Sequence, residues 1–361
     1  MIPYGRQSID DDDVAAVVAA LRSDWLTTGP RVEEFEAALA DAVEAAQAVA
    51  FANGTAALHA AAAVAGLGPG DRVVTSPLSF AASATCARYV GATPEFVDID
   101  PATLNMDLSA VPAGVDAVVA VHYAGLPVDL ERLPYRPRVV IEDAAHAIGA
   151  HTADGPVGNC ARSDLCCFSF HPVKTITTGE GGAVTTNSPV LADALRRFRN
   201  HGMVKHPEVG GWYYEIEDLA FNYRLTDLQA ALGTSQLSKL KRFVDRRNEL
   251  ADRYRAGLAG LPLEAAPVAP AGTRHAYHLF VVQVDDRARV HAALHERGIG
   301  AQVHYVPIYR HPLYADLQVD PASFPATERA YERLLSLPLH PGLTPADQDE
   351  VISALQDLLG P

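Results

Sequence analysis

Lysine is nearly missing from this chain. Of 29 basic residues, only Lys174, Lys205, Lys239 and Lys241 are lysines, and the other 25 are arginines. The arginines form no basic tract, and 44 acidic residues outnumber the 29 basic ones for a net charge of −15. Neither nucleic acid nor an anionic membrane is expected as a partner. Long apolar runs are also lacking. The longest, Ala56 to Leu67, is interrupted by His59 and falls well short of the ~20 residues that span a bilayer. Cys86, Cys160, Cys166 and Cys167 form no C-x-x-C pair, so neither a zinc knuckle nor a disulfide framework is expected, and no metal site is assigned. All four read as reduced, buried thiols. The opening Met1–Asp13 lacks the basic and apolar regions of a secretory signal, and a cytoplasmic protein is the expectation. Two nucleotide motifs are absent as well. No glycine-lysine-hydroxyl triplet occurs, and Gly66, Gly68 and Gly70 follow a helix pattern with spacing foreign to a dinucleotide fingerprint.

What is present is an alternation of strand and helix. Short β-branched runs recur at 47–53, 72–77, 95–100, 117–122, 138–143, 164–170 and 182–186, with helical patterns such as 13–23 and 55–66 between several of them. Near-continuous apolar strands separated by helix-length segments predict an α/β fold with a mostly parallel sheet covered on both faces. The acidic run Asp10–Asp13 reads as a helix cap. A single long helix is expected from Asp227 to about Leu258, then a Pro/Ala-rich boundary at 261–272. Beyond it a strand (277–284), a helix (288–297), a strand (300–306) and a last helix (345–359) make a small C-terminal α+β unit. The expected division is 1–240 for a large domain and 241–361 for the small one.

In open α/β sheets ligands bind beyond the carboxyl ends of strands. Three such ends carry chemistry. Asn53-Gly54-Thr55 is either an ordinary capped turn or an anion site made of helix N–H groups. Asp143, in Glu142-Asp143-Ala144-Ala145-His146, either caps the next helix or, as a buried carboxylate, pairs with a cation. Lys174 follows an apolar strand and precedes the glycine-rich Thr177–Gly182, whereas Lys205, Lys239 and Lys241 read as solvated. It is either a surface residue or a desolvated amine able to condense with a carbonyl. Together, a phosphate cradle, a buried acid and a sheltered lysine meet the needs of pyridoxal phosphate.

The motifs NGTAAL (53–58), VIEDAAHAIGA (140–150), FSFHPVKTITTGEGGAVTT (168–186) and FNYRLTDLQAALG (221–233) resemble those of the DegT/DnrJ/EryC1/StrS sugar aminotransferases. The likeness runs from IPYGRQSI to QVHYVPIY (302–309) and LSLPLHPGL (335–343). It implies a fold-type I enzyme using pyridoxal 5'-phosphate, with pyridoxamine 5'-phosphate as its other form. It implies Lys174 as the amine that holds the cofactor and moves protons, Asp143 opposite the pyridine nitrogen and His146 beside the ring, with a satisfied core histidine the alternative for His146. Cofactor contacts are implied for Gly54, Thr55, Ala56, Ser169 and His171, and Phe80 is implied to stack on the ring; by its sequence alone Phe80 reads as a core residue. Asn222 is implied to reach the phosphate of a neighbouring subunit, hence a homodimer with shared active sites. Tyr4, Asp24, Trp25, Leu26, Thr27, His304, Tyr305 and Tyr309 match segments lining the substrate site, with packing the alternative for Tyr305 and Tyr309. PYGRQSI, His146 and QVHYVPIY point to the pseudaminic-acid branch of the family. There L-glutamate aminates C-4 of a UDP-linked 2-acetamido-2,6-dideoxy-4-hexulose. Rivals are another nucleotide-sugar or cyclitol aminotransferase, and a pyridoxal-phosphate-binding regulator without turnover. The intact Lys174/Asp143/Ser169 set speaks against the regulator, and the lysine at 174 against dehydratase relatives that carry histidine instead.

Overall fold

A computed structural model describes residues 1–360. In chain order its elements are α1 (Asp11–Leu21), α2 (Pro30–Ala42), β1 (Gln47–Phe51), α3 (Gly54–Val64), β2 (Arg72–Thr75), α4 (Ala82–Tyr89), β3 (Thr93–Phe96), β4 (Ala117–Val121), β5 (Val139–Asp143), β6 (Leu165–Ser169), β7 (Gly182–Thr186), α5 (Pro189–Phe198), β8 (Met203–Lys205) and β9 (Tyr214–Ile216). There follow α6 (Asp227–Leu237), α7 (Leu240–Gly257), β10 (Leu263–Glu264), β11 (Phe280–Val284), α8 (Arg287–Glu296), α9 (Pro325–Arg333), β12 (Leu334–Leu337) and α10 (Pro345–Leu359).

Seven strands form the central sheet in the order β1-β7-β6-β5-β4-β2-β3. Only β7 runs against the rest. The carboxyl ends of β1, β5 and β6 therefore open on one edge, with the reversed β7 between β1 and β6. Register matters here, because Gly182 pairs with both Phe51 and Ser169. A Cβ at Gly182 would lie 2.5 Å from Asn53 O and 2.8 Å from Gly54 N, so only glycine lets the β1–α3 turn close over β7.

Both faces of the sheet are covered. Val32, Phe35 and Leu39 of α2 pack with Ala230 and Leu237 of α6 on one face, and the alanines of α3 with Cys86, Ala192 and Leu195 on the other. Cys166 and Cys167 point to opposite faces, are fully buried and unpaired, and lost hydration raises both thiol pKa values. A three-stranded sheet, β10-β11-β12, lies beyond. Leu250, Ala251 and Tyr254 of α7 pack into its core, while Leu240, Phe243 and Val244 of the same helix pack into the core against α2.

The sequence-based elements need four corrections. The helix expected over 227–258 is two, broken at Ser238-Lys239. Lys239 is not solvated: its side chain is 9% exposed, and its ammonium meets the Asp10 carboxylate and, at 2.9 Å, Asp13. The break thus ties α6 and α7 to α1, and Gln236 adds bonds to Asp13 Oδ2 (2.7 Å) and Ser8 O (2.8 Å). The strand expected over 300–306 shrinks to one bridge, Gln302 to Ser336. Its place beside β11 is taken by β12, where Leu334–Leu337 are all buried. The strand expected over 95–100 begins and ends earlier, at 93–96. The cap reading of Asp10 holds: its carboxylate accepts from Asp13 N–H at 3.3 Å and Asp13 accepts from Asp10 N–H at 3.0 Å.

Candidate active site

The three strand ends converge on one cleft of about 620 Å³. At β1, Asn53 takes an extended conformation and its Oδ1 accepts from Ala56 N–H at 2.9 Å, which caps α3. The N–H groups of Gly54 and Thr55 in the first turn have no intrahelical acceptor and lie at the positive end of the helix. Gly54 crosses β6 so closely that a Cβ would sit 2.9 Å from Ser169 Cβ and 3.2 Å from Ser169 Oγ. Two backbone donors and a hydroxyl thus form a cradle that fits a phosphate.

At β5, Asp143 is 5% exposed. Ser83 donates to its Oδ2 at 2.6 Å and Ala145 N–H to its Oδ1 at 3.1 Å. Among the described residues no arginine or lysine bonds it, and its hydrogen-bond donors are neutral. Its neighbour Glu142 points to the other face, bonded to His122 Nε2 at 2.9 Å and to Ser163.

Past β6, Lys174 lies in the loop back to β7. The loop is pinned by Phe170 N–H to Gly181 O (2.8 Å), Thr178 N–H to Phe170 O (3.0 Å) and Thr177 Oγ1 to Phe170 O (3.0 Å). Lys174 is half-buried, but its amine lies among enough protein atoms that lost hydration brings its pKa down to about 8, with the Asp143 charge working the other way. Such an amine loses its proton near neutrality and can act as nucleophile, acid or base.

The remaining walls are aromatic. Phe80 is no core residue: 59% exposed, it projects into the cleft 6.1 Å from the Tyr305 ring. Tyr4 packs on His304 at 5.3 Å. His304 Nδ1 bonds Ser336 Oγ at 2.8 Å, and Tyr305 OH bonds His146 Nε2 at 3.0 Å. Burial lowers the pKa of His146 well below its usual value and that of His304 to about 4, and it raises that of Tyr305. His171 is exposed at the rim.

Gly54, Thr55, Ala56, Phe80, Asp143, His146, Ser169, His171, Lys174, Tyr4, His304 and Tyr305 therefore share one cleft. Others lie elsewhere in the chain. Asp24, Trp25, Leu26 and Thr27 form an exposed turn, with Thr27 bridged to Thr226. Asn222 is exposed and bridged to Asn200. Tyr309 is buried outside the cleft, its hydroxyl donating to Glu328 at 2.7 Å and its ring 4.9 Å from Phe324; packing describes it. Sequence reasoning missed Ser83 and His278, both close to the predicted residues. Ser83 sits in the first turn of α4 and His278 precedes a strand, so neither lies at a strand's carboxyl end.

The groups present, a phosphate cradle, a buried carboxylate bonded by neutral donors and an amine with a lowered pKa, fit pyridoxal phosphate. Known proteins agree. The chain is 38% identical over 99% of its length to the spore coat polysaccharide biosynthesis protein SpsC of Bacillus subtilis (strain 168), covering 97% of it. Its structure is similar to Spr1654 of Streptococcus pneumoniae in the PMP form, with TM-score 0.93 and 29% identity over 99% of both chains. The PLP form of that protein gives TM-score 0.92. It is also similar to Helicobacter pylori PseC, an aminotransferase involved in the biosynthesis of pseudoaminic acid, with TM-score 0.91 and 30% identity over 99% of each chain. The model of the DegT/DnrJ/EryC1/StrS aminotransferase family matches residues 7–356. The chain belongs to that family of pyridoxal-phosphate-dependent sugar aminotransferases.

Proposed function

We propose that this protein transfers the amino group of L-glutamate to the C-4 ketone of a UDP-linked 2-acetamido-2,6-dideoxy-4-hexulose. The observation that carries the reaction class is the convergence of Lys174, Asp143 and the Gly54–Ser169 cradle in one cleft. The likeness to PseC over nearly the whole of both chains supports the sugar. Since SpsC is also similar, a neighbouring nucleotide sugar, aminated at C-3 or C-4, is the second reading.

In the proposed site Gly54, Thr55, Ala56 and Ser169 hold the cofactor phosphate, Asp143 the ring nitrogen, Phe80 a ring face and Lys174 the aldehyde. His146 and His171 complete the surroundings. Pyridoxal phosphate, when bound, supplies a carbonyl that accepts the amino group and a ring that takes up the electron pair released at the amino-bearing carbon. Lys174 takes that carbon's proton and returns it at the adjoining position. Its lowered pKa suits both roles near pH 8. The two halves of the reaction use the same amine in opposite directions. Tyr4, His304 and Tyr305 orient the sugar, and the apolar wall of Phe80 and Tyr305 limits water.

Two cleft components would come from a second copy. Trp212 is 79% and Leu219 94% exposed, close in sequence to Asn222, and Trp25 and Leu26 are half exposed. Apolar side chains so placed favour a homodimer that brings Asn222 and the 24–27 turn to the partner's cleft. The test is to incubate the enzyme with glutamate and a panel of keto-sugar nucleotides and to identify the product amine. Turnover of the UDP-4-hexulose supports the proposal, and activity confined to a cyclitol ketone would overturn it.

A further inference from the structure

Arg247 is fully buried near the middle of α7, where that helix passes from one core to another. Ahead of it Leu240, Phe243 and Val244 pack against α2, and beyond it Leu250, Ala251 and Tyr254 pack into the core of the three-stranded sheet. Among the described residues no carboxylate bonds its guanidinium, and Nε and Nη2 have no partner. Lost hydration brings its pKa down to about 10. Burying a cation in this way is unfavourable, and a methionine would fill similar space without the penalty. Packing therefore gives no reason for an arginine at this position.

Its hydrogen bonds give one. Nη1 donates to the carbonyls of Tyr277 (3.1 Å), His278 (3.3 Å) and Leu339 (2.9 Å). It thereby joins the segment that leads into β11 to the segment that follows β12. The same helix adds Asn248 Nδ2 to His275 O at 3.0 Å and Tyr254 OH to Pro338 O at 2.9 Å. The first segment needs such restraint. Tyr277 sits at φ +46°, a region that side chains disfavour. The segment also presses on Gly125 (φ +98°), where a Cβ would lie 2.7 Å from His146 O and 3.1 Å from both His278 N and Tyr277 N.

Both segments support one wall of the cleft. His278 lines it, with its ring centre 4.3 Å from that of His146. Leu339 N–H donates to Tyr4 O at 2.9 Å, and Tyr4 lines the cleft beside His304. Arg247 bonds none of Lys174, Asp143, Gly54 and Ser169. We propose that Arg247 is the positioning residue of the substrate wall: through the carbonyls of His278 and Leu339 it sets His278 and, one hydrogen bond further on, Tyr4 against the cleft that the sugar nucleotide enters. Without Nη1 three buried carbonyls lose a donor, and the two segments shift while the cofactor groups stay in place.

The inference rests on the aminotransferase reading, and its test separates the two. In cofactor-loaded Arg247→Met, the KM for the keto-sugar nucleotide that the enzyme turns over should rise about tenfold, the worth of one net hydrogen bond. The kcat and the absorption band of the lysine-linked cofactor should stay near those of the wild type. Hydrogen exchange should quicken over 275–279, 338–340 and 2–6 and stay unchanged over β1, β5 and β6. Arg247→Lys, whose ammonium offers a hydrogen to each of the three carbonyls, should recover most of the KM and the protection. An unchanged KM in Arg247→Met would overturn the proposal. So would loss of the cofactor band along with turnover, exchange that quickens throughout the chain, or a lysine variant no better than the methionine one. A wild type that binds cofactor yet ignores glutamate would instead defeat the aminotransferase reading, while hydrogen exchange would still decide whether Arg247 holds the two segments.

Discussion

Ser83 donates its hydroxyl hydrogen to Asp143 Oδ2 across 2.6 Å, joining the first turn of α4 to the end of β5. Ser79 stands 2.7 Å behind it, so a short chain of hydroxyls orients the carboxylate. In Ser83→Ala the buried carboxylate loses a charge-assisted bond, and the protein should lose about 2 kcal/mol of stability by urea unfolding. The affinity for cofactor should fall with it.

Asp143→Asn keeps the shape of the side chain and removes its charge. The half-reaction with glutamate should slow by about 100-fold, the scale on which a preorganised electrostatic partner acts. Rapid-mixing absorbance measurements check this. A rate within threefold of the wild type would remove Asp143 from its proposed role.

Lys174 carries a cost for its position. Its amine, pushed down to about 8, binds protons less readily folded than unfolded, where the value is near 10.4. Between pH 8 and 10.4 the unfolded chain holds more protons, so this residue's contribution to stability rises with pH there and is a penalty at neutrality. Lys174→Met should therefore stabilise the cofactor-free protein by about 1 kcal/mol at pH 7, while abolishing transamination.

Acid should weaken the fold through its buried histidines. Lost hydration is the main cause that brings His275 to about 3 and His304 and His340 to about 4. Unfolded histidine titrates near 6.5, so between pH 6.5 and about 4 the unfolded chain binds more protons and stability falls as pH falls. Each such residue contributes up to about 1.4 kcal/mol per pH unit over that window. Urea midpoints at pH 7 and pH 5 should differ clearly, and His340→Gln should narrow the difference.

Lys239 supplies the ion pair that docks α1 on α6 and α7. Lys239→Ala leaves Asp13 fully buried without its cation and should cost about 3 kcal/mol, read as a lower urea midpoint.

The strand ends that meet in the cleft were legible because each local signal had a short range: a capping Asn before alanines, an Asp closing a β-branched run, a lysine before glycines. The reversed β7 was not, since direction is set by which strand it pairs with rather than by its own residues. Lys239 read as solvated because its flanking sequence is charged. Its partners, Asp10 and Asp13, are more than 220 residues away, and folding alone brings them together. β12 was not legible, since Leu334–Leu337 spans only four residues and has no alternation to mark a strand. His278 gave no sign because its place in the cleft depends on an approach permitted by a glycine more than 150 positions earlier.

The central claim is that Lys174 and its neighbours form a pyridoxal-phosphate transamination site. Its most direct test is the absorption spectrum of the cofactor-loaded protein before and after glutamate, alongside Lys174→Ala. The wild type should show the band of a lysine-linked cofactor and convert on adding glutamate to the spectrum of pyridoxamine phosphate. The variant should lack the lysine-linked band and show no conversion. A wild type without that band when cofactor is in excess, or a Lys174→Ala protein that still converts, would contradict the account.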